Sequence, residues 1–234
     1  MKTLLTTLSI LLSLTIFSQN CDEILPLNEG TQWSYQSFDK KGKLSSTSTQ
    51  KIVSTSESGG TVTASIKQEI LDDKDKPINT SEYDVSCDGN QINISIEKMM
   101  NEEMMASFQG MEVKVDADQL DYYSNPTVGQ NLKDATMVID VATSGSEVAM
   151  GMSMLKMTVN ITNRKVEAKE TITTAAGTFE CYKITYDIEM KTIVKVQAQA
   201  VEWFCPGVGM VKQESYNKKG KLTGSSELSE LIKG

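Results

Sequence analysis

The sequence predicts a mainly all-β fold, a single large antiparallel and strongly curved sheet or open barrel with one amphipathic helix covering it. Three observations carry this expectation. Apolar and polar residues alternate with strand periodicity along much of the chain, short turn signals rich in Asp, Asn, Gly and Lys separate those runs, and no region alternates strand with helix as a parallel sheet requires.

The chain opens on Met1-Lys2 and an unbroken apolar and hydroxyl segment from Leu4 to Phe17, then turns polar at Ser18-Gln19-Asn20. A single basic residue before a short apolar stretch has the form of a cleaved secretory signal, too short to span a bilayer as a helix. The expectation is a signal peptide over 1–18 and one β-rich domain over 19–234, exported to the periplasm or secreted. Cys21 lies close enough to the cleavage point to raise lipid anchoring. Asn20, however, stands where lipoprotein processing takes a small residue, so free export without a transmembrane anchor is expected.

Trp33, Tyr35 and Phe38 mark a first strand, turned by Asp39-Lys40-Lys41-Gly42-Lys43. An aspartate can open such a turn by bonding its own backbone, and a left-handed glycine closes it as a bulged hairpin. The same device recurs at Asn217-Lys218-Lys219-Gly220-Lys221, with Phe38 matched by Tyr216 and Leu44 by Leu222, and in weaker form at Asp72-Asp73-Lys74-Asp75-Lys76. Thr61 to Ile70 sets Val62, Ala64, Ile66 and Ile70 on one face, and Asp88-Gly89 offers a tight hairpin after Cys87.

The period then changes. Ile96, Met99, Met100, Met104, Phe108 and Met111 recur at spacings of three and four, with Ser95 to cap the start and Gly110 the end, which predicts the amphipathic helix. Asp116 to Thr127 follows as a polar connection holding Tyr122, Tyr123 and Pro126. Strands resume near Ala135. Val148, Met150, Met152 and Met154 share a face before the phase flips to Leu155, Met157, Val159 and Ile161, as a bulge or bend would require. Tyr182 to Met190 and Val194 to Ala200 alternate cleanly. Trp203-Phe204-Cys205 leads into a Pro206-Gly207 turn, and Leu228, Leu231 and Ile232 end the chain's last strand or a short helix.

Composition excludes several functions. The chain has no histidine, which removes Ser-His-Asp and Cys-His catalysis, histidine zinc sites and imidazole acid–base work. Its net charge is −8 and Arg164 is its one arginine, so nucleic acid, which needs clustered positive charge, is not an expected partner. The four cysteines, Cys21, Cys87, Cys181 and Cys205, are even in number in a chain read as exported, so two disulfides are expected. A fold-back about residue 193 would set Cys181 opposite Cys205 and leave Cys21 with Cys87. A bulge at Ala200-Val201, where the apolar alternation shifts phase, would instead set Cys205 opposite Tyr182.

Gly177-Thr-Phe-Glu-Cys-Tyr-Lys, Glu202-Trp-Phe-Cys-Pro-Gly-Val-Gly-Met-Val-Lys and Asn163-Arg-Lys-Val-Glu, with Pro26-Leu-Asn-Glu-Gly-Thr-Gln-Trp-Ser-Tyr near the start, resemble the TapB-like family of exported bacterial proteins of unknown function. The resemblance covers nearly all of the chain after residue 18. It implies a secreted, mainly antiparallel β fold and no reaction, with no catalytic residues to carry over. Cys205 departs from a pattern in which that position is often alanine, so the resemblance does not imply a bridge between 181 and 205.

The remaining candidates concern ligands. Nine of the 13 methionines lie between Met99 and Met111 or between Met150 and Met157. Methionine is unbranched and polarizable, so it fills irregular apolar interiors, and its thioether can also bind Cu(I). Met99, Met100, Met104, Met150, Met152 and Met154 are the expected lining of an apolar interior. Arg164 and Glu170 join them because they share a face with Val166, Ala168 and Ile172. About 20 Å of strand separates the two, so each needs a partner elsewhere. The functional expectation is a non-enzymatic exported protein, without cofactor or metal, that binds an apolar small molecule or an envelope protein. The alternatives are a structural or interaction module, a methionine Cu(I) site and a carboxylate-based hydrolase. Ser95 and Lys98 have the spacing of a penicillin-recognising Ser-Lys pair but lack its companion motifs.

Overall fold

The structure is a computed structural model that describes residues 21–89, 91–95, 111–143 and 155–234. The expected signal peptide, the expected helix after Ser95 and the Met150–Met154 run lie outside the described residues. A four-residue helix, α1 (Cys21–Ile24), begins the described chain. Asp22 ends it by accepting the backbone N–H of Leu27 on Oδ1.

The strands are β1 (Gln32–Asp39), β2 (Leu44–Ser58), β3 (Thr61–Asp72), β4 (Pro77–Cys87) and β5 (Gln91–Ser95), then β6 (Met111–Ala117), β7 (Gln119–Tyr123) and β8 (Ala135–Thr143). Five long strands complete the chain: β9 (Leu155–Thr174), β10 (Gly177–Lys191), β11 (Lys195–Cys205), β12 (Gly209–Asn217) and β13 (Leu222–Ile232). Among the described residues they form one antiparallel sheet in the order β6-β8-β9-β10-β11-β12-β13-β1-β2-β3-β4-β5-β7. The two edge strands, β6 and β7, are separated in sequence by Asp118 alone. A nearly continuous strand therefore pairs first with β8 and then with β5, and the sheet curls almost into a closed barrel.

Tyr122 and Asp121 thus sit on a buried strand, where a polar connection was expected. The period-two signal is broken there because Asp118 marks the handover between partners and Asp121 is a buried ion-pair member, so polar residues occupy positions an apolar pattern would have filled. Leu228 and Leu231 belong to a strand, not a helix. Ser34 faces Glu230 and Tyr35 faces Leu228, so Ser229 bulges and converts a two-residue spacing into three.

The repeated turn is built the same way three times. Asp39 accepts the backbone N–H groups of Lys41 and Lys43, Asp72 those of Lys74 and Lys76, and Asn217 those of Lys219 and Lys221. The left-handed position is Gly42, Asp75 and Gly220 respectively, so the copy opened by Asp72 differs in carrying a side chain at φ 59°. Across these turns Phe38 faces Leu44, Leu71 faces Pro77 and Tyr216 faces Leu222.

The core fills one end of the curl, with Trp33, Tyr35, Ile52, Tyr83, Val211 and Leu228 all nearly or fully buried. Burying a side chain of this kind contributes roughly 1.5–3 kcal/mol. Trp33 Nε1 donates to the Val208 carbonyl at 2.6 Å and the Tyr35 hydroxyl to the Met210 carbonyl at 3.0 Å, tying β1 to the chain just past the Pro206-Gly207 turn. Gly209 lets this happen. It has φ +106°, and a Cβ there would stand 2.8 Å from Leu25 Cδ1.

Both disulfides form, Cys21 with Cys87 and Cys181 with Cys205. The first ties α1 to the end of β4. The second joins β10 to β11, whose register runs without interruption from Lys191 opposite Lys195 to Tyr182 opposite Phe204. The alternative, a bulge at Ala200-Val201, is absent from this pair, and the fold-back about residue 193 stands.

Candidate functional site

Within the curl, next to the packed core, is a half-open cavity of about 430 Å3. Its floor is apolar and aromatic, with Tyr83, Val85, Ile92, Tyr122 and Phe204, and Tyr122 stacks on Phe204 with ring centroids 4.7 Å apart. Its upper wall is neutral and polar, with Ser37, Ser46, Ser48, Gln50, Gln68 and Ser226. Alternation explains both. β1, β2, β3 and β13 point small hydroxyls and amides inward at one end, and large apolar side chains inward at the other. A larger groove of about 570 Å3 is lined by Lys165, Glu167, Thr185, Asp187 and Gln199 among others. These bond to one another: Lys165 with Glu167, Thr185 with Glu167, Gln199 with Asp187. That groove asks for no ligand.

Glu202 is the ionisable acid of the cavity and is only 4 % exposed. It lies on the same face of β11 as Val196, Ala198, Ala200 and Phe204. Cross-strand it faces Ile184 on β10 and Gln213 on β12. The tyrosine hydroxyl of Tyr122 donates to its Oε2 at 3.2 Å, Tyr186 also bonds to it, and Gln213 Nε2 donates to the Tyr186 hydroxyl at 2.7 Å. Burial pushes the Glu202 carboxyl above the usual glutamate range, against the opposing pull of Arg164, Tyr122 and Tyr186. The same burial raises the Tyr122 and Tyr186 phenols, which stay protonated donors.

Arg164 sits behind this acid, held by three hydrogen bonds. Its Nη1 lies 2.5 Å from Asp121 Oδ1 and 2.8 Å from the Lys133 carbonyl, and its Nη2 donates to the Asp121 carbonyl at 3.0 Å. The other Asp121 oxygen accepts from the Tyr123 hydroxyl at 2.7 Å, and the guanidinium carbon lies 5.5 Å from the Tyr122 ring centroid. A bulge aims it there. Thr185 faces Lys165 while Asp187 faces Thr162, so Asn163 and Arg164 together oppose Tyr186, with Asn163 left-handed at φ 57°.

Glu170 is not in the cavity, although the sequence pattern places it on the face of Arg164. A second bulge at Glu167, between Lys183 facing Ala168 and Ile184 facing Val166, moves Ala168 and Glu170 to the opposite side of the sheet. There Glu170 accepts from Trp203 Nε1 at 2.8 Å and lies 3.5 Å from Lys183 Nζ. Lys183 and Lys212 cover the Trp203 ring at 5.6 and 5.4 Å. Met99, Met100, Met104, Met150, Met152 and Met154 lie outside the described residues.

Glu202, Tyr122, Tyr186 and Gln213 are missing from the sequence-derived set. A signal for Glu202 did exist, a carboxylate in phase with Val196, Ala198 and Ala200, but the apolar alternation shifts phase at Ala200-Val201 and masks it. Asp118 accepts the backbone N–H of Thr136, and Asp121 pairs with Arg164.

A DUF3108-like family model matches residues 28–228. The chain belongs to the DUF3108-like family. Two solved structures share its fold, each with a TM-score of 0.69. One is a candidate exported protein with a YmcC-like fold from Bacteroides fragilis, 21 % identical, covering 90 % of this chain and 99 % of its own. The other is a candidate lipoprotein from Parabacteroides distasonis, 22 % identical, covering 89 % of this chain and 98 % of its own. No curated protein matches the chain.

Proposed function

We propose that this DUF3108-like protein is an exported, non-enzymatic binding protein that takes an apolar small molecule into the interior of its curled sheet. The observation that carries the reading is the 430 Å3 cavity, which keeps an aromatic floor open where the rest of the curl is packed. Export is supported by the two disulfides, which persist in oxidising compartments, and by the described exported and lipoprotein character of the two structural neighbours. The finer resemblance to the TapB-like group agrees with it. A hydrolase reading needs two converging acids, and Glu202 is the one acid among the described lining residues.

Titration with N-phenyl-1-naphthylamine tests this. Saturable binding of one probe per chain is expected, lost in Ile94→Trp, which fills the cavity. Fluorescence that rises without saturation, or that Ile94→Trp leaves unchanged, contradicts it. One observation favours an interaction module as the second reading. The tip of the β10–β11 hairpin presents Ile193 at 95 % exposure beside Val194 and Val196. Self-association relieved by Ile193→Ser and Val194→Ser would support it.

A further inference from the structure

The cavity is chemically lopsided. Among the described residues, its lining includes a carboxyl group but neither lysine nor arginine, and its polar wall is made of serines and glutamines. The nearby cation, Arg164, is spent on Asp121, so it does not neutralise a guest or fully satisfy Glu202. The partners of Glu202 are phenols, Tyr122 and Tyr186, held in place by Phe204 stacking and by Gln213. A buried carboxylate whose hydrogen-bond donors are neutral, and whose nearby cation is paired with another acid, gains most from a charge-assisted hydrogen bond with an ammonium group. The chain as a whole is acidic, at −8, which draws cations and repels anions over longer range.

We propose that the cavity selects amphiphiles with an amine or ammonium head, setting the head against Glu202 and the hydrocarbon chain against the aromatic floor, and that it rejects anionic amphiphiles of the same length. Glu202 is the specificity-determining residue. The inference rests on the binding reading above.

Dodecylamine, dodecanol and dodecanoate, competing with N-phenyl-1-naphthylamine on the disulfide-bonded protein at pH 7, provide the test. Dodecylamine is expected to displace the probe at least about tenfold more tightly than dodecanoate, since one well-placed charged contact is worth about a factor of ten. Dodecanol should fall between them. In Glu202→Gln the amine and the acid converge to within about threefold while dodecanol still binds, which shows that the cavity survives. Equal competition by all three, a preference for dodecanoate, or an amine preference that persists in Glu202→Gln overturns the assignment of head-group chemistry. Probe binding that none of the three displaces also overturns it. Failure of the probe itself to bind overturns the binding reading instead.

Discussion

Two charged side chains point into the same curled sheet and meet opposite fates. Arg164 faces three acceptors, Asp121 Oδ1, the Asp121 carbonyl and the Lys133 carbonyl, and so stitches β9, β7 and the connection before β8 where the curl closes. Glu202, two strands away, has two phenols and an open volume. Both are almost wholly buried, at 2 % and 4 % exposure, so burial does not separate them. What separates them is what is left to satisfy. A buried charge paired with a carboxylate and two carbonyls is a piece of architecture, whereas one hydrogen-bonded by neutral donors and fronted by a cavity is a place for a guest.

The sharpest way to break this contrast is Arg164→Met. It leaves Asp121 buried without its cation and is expected to cost about 3–5 kcal/mol in chemical denaturation. A loss below about 1 kcal/mol would mean that Arg164 is no more structural than Glu202. Tyr122→Phe is the next most informative change. The ring that lies under Arg164 stays, and only the hydroxyl on Glu202 goes, so a loss of about 1–2 kcal/mol is expected. Smallest is Glu202→Gln, within about 1 kcal/mol of the parent near neutral pH, because removing a charge that Arg164 acts on without an ion-pair contact also removes a desolvation cost.

The pH dependence of stability separates the parent from Glu202→Gln. Burial raises the Glu202 carboxyl in the folded state above its unfolded value, so the folded protein holds the proton more tightly. That contribution is fully present below the ordinary glutamate range and is lost as pH rises through the raised folded value. Among the described residues, the titratable groups acting on Glu202 are Tyr35, Tyr122 and Tyr186, whose raised phenols stay protonated in that window, and the charged group beside it is Arg164. Denaturation midpoints should fall with rising pH in the parent and lose that component in Glu202→Gln. Parallel slopes would contradict the burial argument.

Much of this architecture was legible in the residues. The three Asx-opened turns, the alternation of β3 and β10 and the antiparallel arrangement all follow from local rules of pleat and turn. The places that were not legible share a cause. Bulges at Glu167 and at Asn163-Arg164 shift which side of the sheet a residue faces, and a single extra residue reverses every side chain beyond it. That is why Arg164 points inward as expected while Glu170 ends on the opposite face. Glu202 was hidden for the converse reason. An acid at an inward position imitates a break in the pattern, although the strand runs straight through it. Asp121 and Tyr122 were hidden because a strand that changes partners at Asp118 is too short on either side to show a period.

The account depends on Glu202 being a protonatable acid that meets its guest inside the curl. Carboxyl carbon NMR of the protein labelled at glutamate, titrated with and without dodecylamine, measures this directly. The account predicts one glutamate titrating above the rest, absent in Glu202→Gln, whose titration moves down toward the ordinary range when the amine is bound. A spectrum in which Glu202 titrates with the surface glutamates and ignores the amine would contradict it.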